Sequence, residues 1–168
     1  MINYLIKKGS DFLKYYGVIN YLSNNYDFFI YQVSDNVYLS NLPKKEHQDK
    51  IKSYHFDVIF SIMKPDEQGI DKIQWIKDTN LIHHFIETTD YTAPSQKNYE
   101  DFYNLLQQYQ YQKILIHCYA GKGRSNCMSA YYLMKSKNMS PSKAIQEIER
   151  INPRSNMNYY QKKSLNFH

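Results

Sequence analysis

Only two cysteines, Cys118 and Cys127, occur in 168 residues, which excludes a disulfide framework and points to a reducing compartment. No apolar run approaches the roughly 18 residues a membrane span needs. The opening "MINYLIKKGSDFLKYYGV" lacks the apolar core and cleavage site of a signal peptide. Repeats, low-complexity tracts and linkers are missing too, so nothing divides the chain. Neither sign of charge dominates: 21 Lys and Arg against 16 Asp and Glu leave a net +5, a weak pull toward anionic partners. What is present suits one folded domain, with 42% apolar and 16% aromatic residues. The expectation is a soluble, cytoplasmic protein without a membrane span.

Strand-like and helix-like stretches alternate. "NVYLSNL" (36–42), "DVIFSIM" (57–63) and "KILIHC" (113–118) are short apolar runs of the kind that form strands, and "LIHHFIE" (81–87) is a fourth candidate. Residues 98–109 put Tyr99, Phe102, Tyr103, Leu106 and Tyr109 on one helical face, and residues 125–137 do the same with Cys127, Ala130, Tyr131 and Met134. A helix over 140–151 opens with Ser140 as N-cap and Pro141 at its first position. Residues 3–22 also carry mostly helical spacing, interrupted by Gly9 and Gly17. This order predicts an α/β fold with a partly parallel sheet.

The stretch "HCYAGKGRS" (117–125) joins a buried strand to an amphipathic helix. A loop there lies beyond the carboxyl end of a strand and at a helix N-terminus, where free N–H groups and the helix dipole form an anion site. Gly121 and Gly123 allow positive φ and close backbone approach, so the N–H groups of Tyr119, Ala120, Gly121, Lys122, Gly123 and Arg124 can turn inward as a nest. Arg124 adds a planar fork suited to two phosphate oxygens. Cys118 stands at the base, where the field that holds a phosphate also stabilises a thiolate. A phosphate facing a thiolate is arranged for phosphoryl transfer to sulfur. Elsewhere, Cys127 reads as core. His83 and His84 point to opposite faces of a strand and make no metal pair. Arg150, Arg154, Lys162 and Lys163 form either a solvated face or a basic rim. No metal or other cofactor is expected.

This loop resembles the signature of the cysteine-dependent protein tyrosine phosphatase superfamily: His-Cys, five residues, Arg, then Ser or Thr. "VSDNVYLSNL", "AYYLMKSKNMSPSKAIQEIER" and "NPRSNMNYYQKKSL" extend the likeness to its dual-specificity branch, over about residues 33–165. With its short length, a helical N-terminal extension and an AT-rich coding bias in Tyr, Asn, Ile and Lys, the chain looks like a poxvirus-type member. The resemblance implies an extension over 1–25 and a catalytic domain over 26–168. The implied fold is a single-domain phosphatase fold, with a central, mostly parallel sheet flanked by helices. For a viral protein the location would be host cytoplasm or virion.

It also implies roles. Cys118 matches the nucleophile, Arg124 the phosphate-binding arginine, and Ser125 the hydroxyl that supports the sulfur as leaving group. His117 matches the residue that orders the loop. Asp90, in "FIETTDYTAPS", matches the general acid; Asp101 is the fallback, inside the expected helix. Glu87 replaces the usual proline, and Asn126 replaces a frequent glycine, where no large effect is expected. The implied activity is hydrolysis of phosphotyrosine and phosphoserine/threonine in proteins. Lys122 in "AGKGR" resembles the loop of relatives acting on phosphoinositides, although Tyr119 stands where those carry a second lysine. RNA 5′-triphosphatases place a His where this chain has Ala120. A phosphate-binding module with little turnover is the rival from outside enzymology. In poxvirus-type relatives the N-terminal helix is exchanged between subunits, which implies a homodimer.

Overall fold

The computed structural model describes residues 27–167. The expected helix over 3–22, the extension over 1–25 and the homodimer built on it lie outside these residues.

Five strands form one sheet: Ile30–Gln32 (β1), Val37–Ser40 (β2), Val58–Ser61 (β3), Ile82–Phe85 (β4) and Ile114–His117 (β5). Their order is β1-β2-β5-β3-β4. β1 runs antiparallel to β2, and all other pairs are parallel. β5 and β3 lie in the middle and are buried at every residue, which is why they read as unbroken apolar runs. The register sets Ser40 and Ser61 level with His117, and Ser61 level with Phe85. The carboxyl ends of four strands therefore open on one edge.

Strand alternation divides the core between the two faces. Val58, Phe60, Ile114 and Ile116 meet Tyr99, Phe102, Leu133 and Ile148 on one side. Ile59 and Leu115 meet Ile51, Ile73, Trp75 and Ile76 on the other. The first side is covered by helices Gln96–Gln107 (α2), Arg124–Ser136 (α3), Pro141–Ile151 (α4) and Tyr159–Ser164 (α5). The second carries Gln48–Ser53 (α1) and a 3-10 helix, Ile70–Asp78. The caps follow the sequence. Ser140 accepts from the Lys143 N–H with Pro141 in the first turn, and Ser95 and Asn98 cap α2 reciprocally. In α3 every residue from Arg124 to Met134 is buried, because it runs between the sheet and the other helices.

Among the described residues no helix is long and apolar enough to cross a membrane. The expected strands and the three expected helices after residue 90 all form. β1, α1, α5 and the Ile70–Asp78 helix were not anticipated as separate elements.

Candidate active site

β5 delivers His117 and Cys118 to the sheet edge, and α3 begins six residues beyond the cysteine with Arg124. The loop between them is held from both sides. The Leu42 N–H donates to the Tyr119 carbonyl at 3.0 Å and the Asn156 N–H to the Lys122 carbonyl at 2.8 Å. Asn126 and Asn152, both fully buried, each donate to the Gly121 carbonyl at 2.9 Å. Asn126 thus braces the loop from inside. Of the two loop glycines only Gly121 takes positive φ, +67°. A Cβ there would lie 2.8 Å from the Asn41 nitrogen and 2.9 Å from the Ser40 carbonyl, so both conformation and space require glycine. Gly123 has φ −121° and caps α3 without a side-chain bond. Its lack of a side chain admits the Gln161 amide, 2.8 Å from where a Cβ would stand.

The side chains singled out in the sequence converge at this loop. The Ser125 hydroxyl lies 3.3 Å from the Cys118 sulfur, and both residues are buried. Arg124, with its side chain 1% exposed, donates from Nη1 to Glu67 Oε2 at 2.6 Å and to the Thr88 carbonyl at 3.0 Å. Its Nη2 donates to Glu67 Oε1 at 2.8 Å and pairs with Asp90 Oδ1 at 2.9 Å. Burial alone would lower the Arg124 pKa, but the Glu67 hydrogen bonds, with Cys118 and Asp90 close by, more than offset it and raise the pKa. His117 is fully buried. Its Nδ1 faces the Cys118 carbonyl at 3.2 Å, and burial pushes its pKa down to about 3, so the ring is neutral.

Asp90 therefore reaches the loop. The fallback Asp101 does not: it pairs with Lys97 on the outer face of α2. The Asp90 segment is pinned at its far end by α5, where Asn158 donates to the Tyr91 carbonyl at 2.8 Å and Gln161 to the Thr92 carbonyl at 3.0 Å. The Tyr119 ring lies beside Gly69 and packs against the cluster on the second face of the sheet. Ala120 and Lys122 are half-buried on the loop. Cys127 is core, as expected. His83 and His84 do point oppositely, toward Ser61 and Tyr109. Arg150 pairs with Glu147 and Lys162 with Glu149, which makes them part of a solvated face. Arg154 lies over the Phe29 ring at 5.2 Å. Among the described residues no group of three His, Cys, Asp or Glu is placed to hold a metal. Glu67, Asn158 and Gln161 escaped the sequence reading. Glu67 sits in "KPDEQG", whose composition signals only a turn.

The sequence over residues 37–168 matches the family model of the dual specificity phosphatase catalytic domain. The chain belongs to that family. It is similar to Dual specificity protein phosphatase 1 of Arabidopsis thaliana, with 24% identity over 129 residues, 72% of this chain. It spans 59% of the length of that relative. Among solved structures it is similar to PTPMT1, with a TM-score of 0.73 and 23% identity over 83% of this chain and 92% of that one. PTPMT1 has also been solved with PI(5)P bound. The kinase associated phosphatase matches with a TM-score of 0.71 and 20% identity, covering 83% and 91%. These likenesses agree with the mixed α/β dual-specificity fold that the sequence implied.

Proposed function

We propose that this dual specificity phosphatase domain hydrolyses phosphotyrosine and phosphoserine/threonine in proteins through a cysteinyl-phosphate. One observation carries the reading: Cys118, Ser125, Arg124 and Asp90 meet at a single loop, with Arg124 in contact with Asp90 and sulfur in contact with Ser125. The substrate phosphate is held by Arg124 and the backbone N–H groups of residues 119–124. As a dianion it takes over Arg124 Nη2 and releases Asp90 toward the leaving group. The Cys118 thiolate attacks phosphorus in line, the phosphorus–oxygen ester bond breaks, and the leaving oxygen takes the Asp90 proton. The charge that spreads over the equatorial oxygens meets donors already in place. Water then gives a proton to the Asp90 carboxylate and attacks phosphorus. The sulfur leaves as thiolate, stabilised by the Ser125 hydroxyl.

The test is turnover of a small aryl phosphate and of phosphopeptides by three proteins. Wild type turns over both. Cys118→Ser turns over neither but still binds inorganic phosphate, because a serine hydroxyl is not ionised near neutrality. Asp90→Asn loses roughly 10²–10⁴-fold in kcat on phosphopeptides and less on an activated aryl ester. Appreciable turnover by purified Cys118→Ser would sink the covalent route. Equal losses for Asp90→Asn on both substrates would move the acid elsewhere. A wild type that binds phosphate without turnover would make this a binding module.

A phosphoinositide is the second reading. Lys122 on the loop supports it, as does Arg154, two residues before the Asn156 N–H that bonds the Lys122 carbonyl. A panel of phosphopeptides, phosphoinositides and 5′-triphosphate RNA separates these readings by kcat/KM.

A further inference from the structure

Three side chains from three neighbouring strands form a hydrogen-bonded row across the second face of the sheet. His83 Nε2 lies 2.7 Å from the Ser61 hydroxyl, and that hydroxyl lies 2.6 Å from His117 Nε2. His117 Nδ1 ends the row at the Cys118 carbonyl, 3.2 Å away. The strand register puts all three on one face: Ser61 is level with His117, and His83 is level with Ile59, two residues before Ser61.

One polarity satisfies every partner in the row. A carbonyl oxygen only accepts, so His117 Nδ1 carries the proton. The buried neutral ring then has a bare Nε2, which accepts the Ser61 hydroxyl proton. That hydroxyl has no second proton, so His83 Nε2–H must donate to it. Burial, with His84 and Lys77 nearby, pushes the His83 pKa down to about 4, yet neutral or charged it remains a donor at Nε2. Phe85 holds the ring in place at a centroid distance of 4.6 Å.

We infer that His83 is a positioning residue for the phosphate loop: by donating to Ser61 it directs the Ser61 hydroxyl onto His117, and so fixes the His117 tautomer that holds the Cys118 carbonyl. At the other side of the ring the Cys118 carbonyl favours the same tautomer, so the two ends of the row act together. Without the donor at position 83, the Ser61 hydroxyl can turn round and accept from a His117 protonated on Nε2. Nδ1 would then face the Cys118 carbonyl as lone pair against lone pair, and the root of the loop would shift. A small misplacement of an attacking atom is costly in rate.

The inference concerns the site proposed above as catalytic, and its test is read in two independent ways. Nitrogen-15 NMR of the full chain reports which His117 nitrogen carries the proton, whether or not the protein is an enzyme. Kinetics on an aryl phosphate report the consequence. His83→Gln keeps an N–H donor at the same reach, so the proton stays on Nδ1 and kcat stays close to wild type. His83→Leu removes the donor and lowers kcat about ten-fold with KM unchanged, as loss of an orienting partner typically does. His83→Glu offers an acceptor, draws the Ser61 proton away, moves the His117 proton to Nε2 and lowers kcat further. If His83→Glu does not fold, Ser61→Ala cuts the row at its centre and releases His117 into a mixture of tautomers. A His117 proton that stays on Nδ1 in every folded variant overturns the inference. So does a Gln variant as impaired as Leu, since packing alone would then explain the loss. An inert wild type with the tautomer shifts intact would instead overturn the catalytic reading and leave the row standing.

Discussion

Cys118 and Cys127 are both buried, yet their surroundings are chemically opposite. Cys118 stands among Arg124, Ser125 and the N-terminus of α3. Burial in the apolar core pushes the Cys127 thiol up to about 12, against a hydrogen bond with Tyr99 that works the other way. Cys127 therefore stays protonated and inert near neutrality. Iodoacetamide should label Cys118 in the native protein and both cysteines only after denaturation; mass spectrometry that finds native Cys127 labelled as fast would contradict this. His117 supplies a second prediction at this scale. Its pKa is about 6.5 in the unfolded chain and about 3 in the fold. Between those values the unfolded state binds the proton that the fold refuses, so stability is lost as pH falls below 6.5. The slope is up to about 1.4 kcal/mol per pH unit. Urea midpoints from pH 7 to pH 4 measure it, and His117→Asn should flatten the slope. The residues legible from their own neighbourhood were those whose partners lie within a few positions, as Cys118, Arg124 and Ser125 do, whereas Asp90 was named only through the family resemblance. Glu67 was not, because Arg124 is 57 positions away and a lone carboxylate in a turn looks like any other.

At the scale of elements, α5 is short but well placed. Asn158 caps it and, with Gln161, closes a capping box; the same two side chains hold the carbonyls of Tyr91 and Thr92. The helix cap thereby fixes the segment that carries Asp90. Gln161→Ala should lower kcat about ten-fold on phosphopeptides, and much less on an activated aryl phosphate that needs little protonation of its leaving group. Equal losses on both substrates would mean that the cap supports the loop rather than the Asp90 segment. This coupling was invisible in the sequence, where "NPRSNMNYYQKKSL" shows only turn formers before a short polar helix. By contrast, α4 was readable from Ser140 and Pro141 alone, because a cap and a first-turn proline act locally. The Ile70–Asp78 helix was hidden for another reason. Ile70, Ile73 and Ile76 recur every three residues, which suits the three-residue turn it adopts but matches neither the strand nor the α-helix period.

For the molecule as a whole, the sheet decides where chemistry can occur. Four parallel carboxyl ends open on one edge, and the segments that leave β3, β4 and β5 bring Glu67, Asp90 and the Cys118 loop to it. The parallel arrangement was predictable from alternating apolar runs and helical faces, whereas the strand order was not, since it depends on which runs pair. The burial of α3 on all sides has a consequence for how the protein dies on heating. Ligand-binding loops are usually drawn from the parts of a fold that open first. Here the Cys118 loop, proposed above to hold the phosphate, runs directly into the most enclosed helix of the domain, so it cannot come apart while the interior survives. The site and the fold should form one cooperative unit. A heating curve followed by residual turnover should superimpose on one followed by circular dichroism, and the amides of Cys127 to Leu133 should be among the last to exchange with deuterated solvent. Turnover lost several degrees before the helices melt would show that the loop opens on its own.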